Sequence, residues 1–158
     1  MIRALRIVGA AFDAGAFSGD GAKWAGGRWN TPGTAIIYTA GSEALAILEM
    51  LVHLQSSKEL LNRYVLFEVT FDEALLTVAD AATLPKTWRK SPAEAAVQQV
   101  GDAWIANAGS AILRVPSVIV PSEWNYLLNP AHPDFKQNTI GPKQRVRFDP
   151  RLIKPAPP

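Results

Sequence analysis

The sequence predicts a single α+β domain in which small central β-sheets are flanked by helices. Three stretches indicate this class. Tyr64–Phe71 alternates with the period of two that is typical of a strand, and Ala111–Pro121 is almost wholly apolar and rich in β-branched residues. Ser42–Leu54 begins with a good N-capping serine and continues as an apolar helical stretch. A chain of 158 residues suits one domain with a substantial core.

The composition is that of a globular protein, and it argues against several classes of function. Apolar residues make up 48% and charged residues 19%, and a net charge of +2 makes no case for nucleic-acid binding despite a pI near 9.0. The chain has no cysteine and two histidines, which argues against disulfides and against a transition-metal site. No stretch approaches the roughly 20 apolar residues that span a bilayer, and no signal peptide is recognised. We therefore expect a cytoplasmic protein without a membrane partner.

The first half of the chain predicts two strands and a helix around a glycine-rich loop. Arg3–Val8 is a short first strand, and Phe17–Gly21 is a turn-rich connection. Gly26–Gly33 is the loop, in which glycines permit backbone conformations closed to other residues. Ala35–Thr39 is a buried strand, and Ala44–Leu54 is apolar enough to predict a buried helix.

After the strand at Tyr64–Phe71, the sequence predicts a second helical region. Leu75–Val78 is a further short segment, and Leu84–Ser91 is a loop with three basic residues and a tryptophan. Such a loop is usually plain surface, with nucleic-acid contact as the alternative. Ser91 followed by Pro92 predicts an N-cap and first turn, so a helix is expected from there to Val100, with a second helical piece over Asp102–Asn107.

The last third predicts strands that are interrupted by prolines. Pro116 cannot donate to a ladder, so the strand at Ala111–Pro121 is expected to have an edge, a bulge or a break there. Glu123–Pro133 combines amides, aromatics and prolines and is predicted to be an ordered loop. Arg145–Phe148 is predicted as the last strand, and a Pro-rich tail starts at about residue 153.

Glu49 is the residue that the apolar helix does not explain. It lies four residues before His53, which places the two side chains on one face of a helix. A buried carboxylate is costly unless it has partners. Two interpretations are open: Glu49 bonds a neighbouring backbone group or arginine, or it is held in a cleft for chemistry.

A loop arginine and an aromatic residue at a strand end extend this second interpretation. Arg28 alone is typical of a surface, and Tyr38 alone is typical of a core. Together with Glu49 they supply a cation for phosphate, a face for a planar base, and a carboxylate for ribose or for developing positive charge. If the three converge at one sheet edge, the pattern favours a dinucleotide with a scissile glycosidic bond. Lys23 is a candidate second cation, with solvent exposure as the alternative.

Four further polar residues are candidates for ligand contact or for structural roles. Ser117 follows the Pro116 irregularity, and no G-x-S-x-G motif marks it as a nucleophile, so a satisfied core serine is the alternative to a ligand contact. Asn125 and Asn129 are candidates for backbone capping or for ligand bonding. His132, between small residues and prolines, is predicted to be structural.

Short motifs follow one another over almost the whole chain. They are G-G-R-W-N-T-P-G at Gly26–Gly33, I-Y-T-A at Ile37–Ala40, A-L-A-I-L-E-M-L-V-H at Ala44–His53, G-D-x-W at Gly101–Trp104, V-P-S-V-I-V-P at Val115–Pro121, N-Y-L-L-N-P at Asn125–Pro130 and F-D-P-R-L at Phe148–Leu152. No single motif is decisive. In this order they resemble the RES domain, the toxin half of RES–Xre toxin–antitoxin pairs.

The resemblance implies a compact fold similar to ADP-ribosyltransferases, and it implies action on NAD as a substrate, with no further cofactor. The family's functional positions correspond to Arg28, Tyr38 and Glu49, from which this sequence does not depart. Ser117 and His53 are implied as additional pocket residues. The natural partner implied is an Xre-like helix-turn-helix antitoxin, and occlusion of the Arg28–Glu49 pocket is a plausible means of neutralisation.

Three functional hypotheses follow. The leading one is a toxin that consumes NAD by cleaving the nicotinamide–ribose bond, with water or phosphate as the acceptor. The second is a protein ADP-ribosyltransferase that uses the same site, and a labelled protein band would distinguish it. The third is a non-catalytic nucleotide-binding module, which would bind NAD without releasing nicotinamide.

Overall fold

The structure, a computed structural model, describes residues 1–153, so most of the Pro-rich tail lies outside the described residues. Within these residues, eight strands form one sheet in the order β4-β5-β6-β2-β1-β3-β7, and β8 also pairs with β3. The strands are β1 Ile2–Gly9, β2 Ile37–Ala40, β3 Tyr64–Phe71, β4 Leu76–Val78, β5 Ile112–Pro116, β6 Trp124–Leu128, β7 Thr139–Ile140 and β8 Gln144–Arg145. The predicted α+β class is confirmed, with one continuous sheet in place of several small ones.

The sheet is antiparallel except at one edge. β1 and β3 pair along their full length, from Ile2 opposite Phe71 to Gly9 opposite Tyr64. On its other side β1 meets β2, with Leu5 opposite Ala40. β2 in turn pairs with β6, and β6 pairs with β5. Only β4 runs parallel to its neighbour β5 among the described strand pairs, which leaves β4 as an edge strand.

Apolar side chains cover both faces of the sheet. Neighbouring residues of one strand enter different clusters, because successive side chains of a strand point to opposite faces. In β6, Leu128 packs with Ile37, Val69 and Phe71, whereas Leu127 packs with Trp29 and other residues beneath the long helix Ala95–Asn107. A third cluster, which includes Leu5, Ala40, Leu45 and Leu66, lies under the helix Glu43–Leu51.

In the described chain, three α-helices accompany the sheet: α1 Asp20–Ala25, α2 Glu43–Leu51 and α3 Ala95–Asn107. Helix α2 begins as predicted at Ser42, whose hydroxyl accepts a hydrogen bond from the amide of Leu45 at 3.1 Å. The same hydroxyl donates to Oε2 of Glu123 at 2.9 Å, just before β6, so the N-terminus of α2 is tied to the start of that strand. No helix within residues 1–153 has the length and hydrophobicity needed to cross a membrane.

The prediction for α2 needs two corrections. The helix ends at Leu51, so His53 follows the helix and does not belong to its last turn. It is also not buried all round, because Leu48 is 38% exposed, and Val52, which caps the C-terminal end of the helix, is 60% exposed. The apolar composition misled because only the face formed by Leu45 and its neighbours covers the sheet.

The second helical region also differs from the prediction. Helix α3 begins at Ala95, with Glu94 as its N-cap, and runs without interruption through Gly101 to Asn107. The proposed N-cap Ser91 instead uses its hydroxyl to accept a hydrogen bond from Arg28, 63 residues away. The Ser91 side chain therefore bonds a residue that is distant in sequence and does not cap the helix.

Other element predictions failed where turns and strands were confused. Trp124–Leu128 was predicted as loop but is the strand β6, inside the sheet between β5 and β2. Conversely, β8 comprises Gln144 and Arg145, and residues 146–148 are not in a strand.

Helix α1 was missed because its sequence is short and begins after a glycine with positive φ, Gly19. The break predicted at Pro116 is confirmed, since β5 ends there.

Candidate functional site

A cleft of about 740 Å³ opens between α1, the end of α2 and the segment before α3. Its size is within the range typical of ligand pockets. Its lining includes the sequence-predicted residues Arg28, Tyr38, Glu49 and His53. A smaller recess of about 180 Å³ adjoins it and shares Tyr38 and Glu49 with it. The structure therefore brings the three principal predicted residues to one place.

Two donors from neighbouring strand ends hold the Glu49 carboxylate. Oε1 of Glu49 accepts hydrogen bonds from Oγ of Ser117 at 2.9 Å and from Nδ2 of Asn125 at 2.6 Å. The Ser117 hydroxyl also accepts from the amides of Ile119 and Val120, so its one proton is committed to Glu49. Both donors act on the same oxygen, and within residues 1–153 the other oxygen, Oε2, has no hydrogen-bond partner.

Arg28 connects two loops at the side of the cleft. Its Nη1 donates to the carbonyls of Trp88 and Lys90, at 3.0 and 2.6 Å, and its Nη2 donates to Oγ of Ser91 at 2.8 Å. Partial burial lowers the pKa of Arg28, and the nearby Glu49 carboxylate opposes that shift. The guanidinium remains charged at neutral pH. Its three hydrogen bonds hold residues 88–91 at the side of the cleft.

Tyr38 holds the loop that carries Arg28. Its hydroxyl donates to Oδ1 of Asn30 at 2.7 Å and accepts from the amide of Trp29 at 3.1 Å. Burial raises the pKa of Tyr38, so the phenol stays protonated at any working pH. Gly27 lies so close that a β-carbon there would be 2.6 Å from the Tyr38 hydroxyl. The glycine pair of this loop thus permits the close approach of loop and tyrosine.

Arg6 is a second guanidinium in the cleft, which the sequence analysis did not assign to the site. Its Nε donates to the carbonyl of Ala16 at 2.6 Å and its Nη1 to the carbonyl of Tyr38 at 2.8 Å. Burial lowers the pKa of Arg6 to about 10, so it is still charged at pH 7. Alternation along β1 was the available signal, because Arg3 and Arg6 must point to opposite faces of a strand. Arg3 indeed pairs with Glu68 on the exposed side.

Two more cleft residues were missed or left open by sequence reasoning. Asn125 was left between capping and ligand bonding, and it lines the cleft as a partner of Glu49. Gln98 of α3 also lines the cleft, and its amide donates to two carbonyls of the Arg28 loop. Nothing in the sequence marked Gln98, since a glutamine within a helix is commonly a solvated residue.

The remaining predicted residues lie in different surroundings. His53 is exposed at the cleft wall, and Lys23 is exposed on α1. Ser117 is fully buried behind Glu49. Asn129 is also buried, where its side chain accepts from the amide of Ala131, and it does not line the cleft. His132 caps a short 3-10 turn, its Nδ1 accepting from the amide of Asp134, which is the structural role that was predicted.

The charges of the cleft favour a ligand that has an anionic part and a second part that is, or becomes, positively charged. Within residues 1–153, neither Arg6 nor Arg28 has a carboxylate within 4 Å. Among the described residues that line the cleft, Glu49 is the one with a carboxylate. Two guanidiniums that have backbone and hydroxyl partners but no carboxylate partner suit phosphate oxygens, and one oriented carboxylate suits a group that becomes cationic. No group of three or more His, Asp or Glu side chains in the described part of the chain could hold a metal ion.

Comparisons with known proteins agree on the family. The model of the RES domain matches residues 3–149. The Prs ADP-ribosylating toxin of Sphingobium sp. (strain YBL2) is 45% identical over 148 residues, which cover 92% of this chain and 91% of that protein. Toxin Res of Yersinia enterocolitica is 40% identical over 149 residues, which cover 93% of this chain and 97% of that protein.

A solved structure shows the same fold. A chain of the M. tuberculosis MbcT–MbcA toxin–antitoxin complex matches with a TM-score of 0.73 and 23% identity, over 92% of this chain and 84% of that chain. This likeness confirms the predicted α+β fold class. Since the family model and both relatives cover about nine-tenths of the sequence, the chain belongs to the RES domain family.

Proposed function

We propose that this chain is the toxin of a toxin–antitoxin pair, and that it consumes NAD by cleaving the nicotinamide–ribose bond, with water or phosphate as the acceptor. The observation that carries the proposal is the oriented Glu49 carboxylate, placed in one cleft with two guanidiniums that lack carboxylate partners. Membership of the RES domain family supports the proposal, as do the names of the two relatives described above, which are called toxins.

Glu49 is the proposed catalytic group. Cleavage of the bond between nicotinamide and ribose passes through a state in which the sugar resembles an oxocarbenium ion. A carboxylate beside the sugar stabilises that positive charge and bonds the ribose hydroxyls. Because Ser117 and Asn125 hold Oε1, the free Oε2 is the atom that would face the ribose. Ser117 thus contributes to the site through Glu49.

The two arginines and Tyr38 would bind the rest of the substrate. Arg6 and Arg28 suit the pyrophosphate, and the Tyr38 ring, which also lines the cleft, would stack on nicotinamide. The nicotinamide ring carries a positive charge in NAD and leaves as a neutral molecule, so departure needs no proton from a general acid. We assign His53, exposed at the cleft wall, to a secondary contact. Lys23 is exposed on α1 and does not line the cleft, and we give Asn129 a structural role.

Transfer of ADP-ribose to a protein is the second candidate. The Sphingobium relative, 45% identical to this chain, is called an ADP-ribosylating toxin, which favours this alternative. The chemistry at Glu49 is the same for both reactions, since only the nucleophile that captures the sugar differs.

An antitoxin is the proposed protein partner. The solved structure with the same fold comes from a toxin–antitoxin complex. A helix-turn-helix protein of the Xre type that covers the Arg28–Glu49 cleft would exclude NAD and so neutralise the toxin.

The test is nicotinamide release from NAD by the purified chain, with and without phosphate. Glu49→Gln keeps the size of the side chain and removes its charge, so release should fall by several orders of magnitude while the melting temperature stays close to that of the wild type. A Glu49→Gln protein that turns over NAD at the full rate would contradict the proposal. Release that requires phosphate would identify phosphorolysis, and release indifferent to phosphate would identify hydrolysis.

A parallel incubation with labelled NAD and cell extract distinguishes protein transfer. A labelled protein band that depends on Glu49 would favour the second candidate. NAD binding without release or labelling would leave the chain a nucleotide-binding module and refute both catalytic proposals.

A further inference from the structure

One face of helix α3 contacts the loop that carries Arg28. Gln98, Gly101 and Asp102 are spaced three and four residues apart, so they share a face of the helix. All three meet backbone of residues 27–31, although more than 60 residues separate them along the chain. The loop is thus fastened to a thirteen-residue helix.

Gln98 bonds the loop on both sides of Arg28. Its Nε2 donates to the carbonyl of Gly27 at 3.1 Å and to the carbonyl of Asn30 at 3.1 Å. One amide group has two N–H donors, and here both are used on one loop. The two carbonyls flank Arg28 and Trp29, so this bridge restrains the backbone from which the guanidinium projects.

Gly101 and Asp102 fix the distance and the register between α3 and the loop. A β-carbon at Gly101 would lie 2.0 Å from the carbonyl oxygen of Trp29, so any larger residue must push the loop away. The Asp102 carboxylate accepts from the amide of Thr31 at 3.1 Å and from its hydroxyl at 2.8 Å. These contacts are local to the loop and do not touch Glu49.

We propose that Gln98 is a positioning residue of the active site, which acts through Arg28, and that Gly101 sets the depth at which the Arg28 loop lies. The inference rests on the proposed function for its kinetic readout. Arg28 in turn holds Trp88, Lys90 and Ser91, so the helix, the Arg28 loop and the segment before the helix form one closed set of contacts. Loss of the Gln98 bridge moves the guanidinium relative to bound NAD.

A double-mutant cycle between Gln98→Ala and Arg28→Ala tests whether Gln98 acts through Arg28. In the wild-type background, Gln98→Ala should lower kcat/KM for NAD by about ten- to hundredfold, the scale expected for a misplaced binding group. In the Arg28→Ala background, the same change should lower kcat/KM by less than about threefold. A purely structural role would lower kcat/KM by the same factor in both backgrounds, and that result would overturn the inference.

Two further variants separate the hydrogen bonds from bulk and from helix stability. Gln98→Glu keeps the side-chain length but cannot donate to two carbonyls, so it should resemble Gln98→Ala. Gln99→Ala makes the same substitution one residue along, at an exposed position, and should leave kcat/KM unchanged. Gly101→Ala should reduce kcat/KM further than Gln98→Ala.

Hydrogen exchange supplies a readout that does not depend on turnover. In Gln98→Ala, the amides of residues 27–31 should exchange faster, while those of β3 stay as in the wild type. Unchanged exchange in that loop would refute the positioning role whether or not the wild-type chain consumes NAD. A wild-type chain that releases no nicotinamide, with faster loop exchange in the variant, would refute the proposed function and leave the positioning role standing.

Discussion

The amide nitrogen of Asn125 lies 2.6 Å from Oε1 of Glu49, a contact between residues 76 positions apart. It joins the start of β6 to the last turn of α2. Oδ1 of the same amide is buried and has no hydrogen-bond partner in the described part of the chain. Within residues 1–153, Glu49 is therefore the one hydrogen-bond partner of this side chain, and Asn125 and Ser117 together fix which carboxylate oxygen remains available.

Replacement of Asn125 by alanine should lower kcat for nicotinamide release by about ten- to a hundredfold. Glu49 would keep the Ser117 hydrogen bond but could rotate, so the carboxylate would be less often placed against the sugar. KM for NAD should change less, because the arginines that bind phosphate are untouched. Steady-state kinetics checks this division, and an effect confined to KM would contradict it.

Ser117→Ala should reduce both activity and stability. The buried hydroxyl bonds Glu49 and two backbone amides, and loss of such a group costs about 1–3 kcal/mol in the free energy of unfolding. A chain of this size loses roughly 2–4 °C in Tm per kcal/mol. Thermal melts and nicotinamide release are measured on the same samples.

Ser110→Ala is the matched control for Ser117. Ser110 is also buried and uses its hydroxyl twice, to accept from Trp104 and to donate to the carbonyl of Ile112, but it does not line the cleft. It should lose comparable stability and keep its activity. Equal loss of activity in both variants would mean that stability, and not the Glu49 contact, explains the effect of Ser117.

Alternation of side chains along the sequence predicted a strand whose residues serve only the sheet and its core. The strand at Tyr64–Phe71 has the predicted bounds, because its alternation matches a strand that lies within the sheet. Trp124–Leu128 is equally regular in structure but was missed. Its polar position Asn125 faces a cleft and bonds Glu49, and a strand that carries part of a site does not alternate as a core strand does.

The candidate site was predictable as a set of residue types and not as a set of contacts. Arg28, Tyr38 and Glu49 were identified from types suited to a dinucleotide, and the structure places them in one cleft. Gln98 carries no local signal, and Arg6 is marked only by the alternation of β1, because the roles of both residues come from groups that the fold brings near them. The boundary of α3 failed for the same reason, since Arg28 recruits Ser91 from across the chain.

Tyr38→Phe should destabilise the Arg28 loop while it keeps the aromatic ring. The change leaves the fully buried Oδ1 of Asn30 and the amide of Trp29 without the hydroxyl, at a cost of about 1–3 kcal/mol. Tm should fall by several degrees, and KM for NAD should rise less than in Tyr38→Leu, which also removes the ring. Tyr64→Phe, at a residue whose ring packs edge to face on Phe148, is the control and should melt close to the wild type.

Arg28→Lys should loosen the loop before α3. A lysine cannot reproduce the planar fork that bonds Trp88, Lys90 and Ser91 at once. Limited trypsin digestion, mapped by mass spectrometry, should show faster cleavage after Arg89 and Lys90 and an unchanged rate after Lys58. An unchanged rate after Arg89 and Lys90 would show that Arg28 does not hold this loop.

Arg6→Gln should raise KM for NAD by about tenfold or more, with a smaller effect on kcat, because it removes a cation that no carboxylate of the described chain neutralises within 4 Å. Burial lowers the pKa of Arg6 to about 10, so the guanidinium is charged below that pH and loses its charge above it. In the wild type, KM should therefore be constant from about pH 7 to pH 9 and should rise as the pH passes through about 10.

The matched control for Arg6 is on the same strand. Arg3→Gln removes an exposed arginine that pairs with Glu68, a contact worth little, and it should leave KM and its pH profile as in the wild type. The Arg6→Gln protein should lack the rise in KM near pH 10, because the group that titrates there is gone. If Arg6→Gln retains that rise, or if its KM at pH 7 matches that of Arg3→Gln, then Arg6 does not bind the substrate anion.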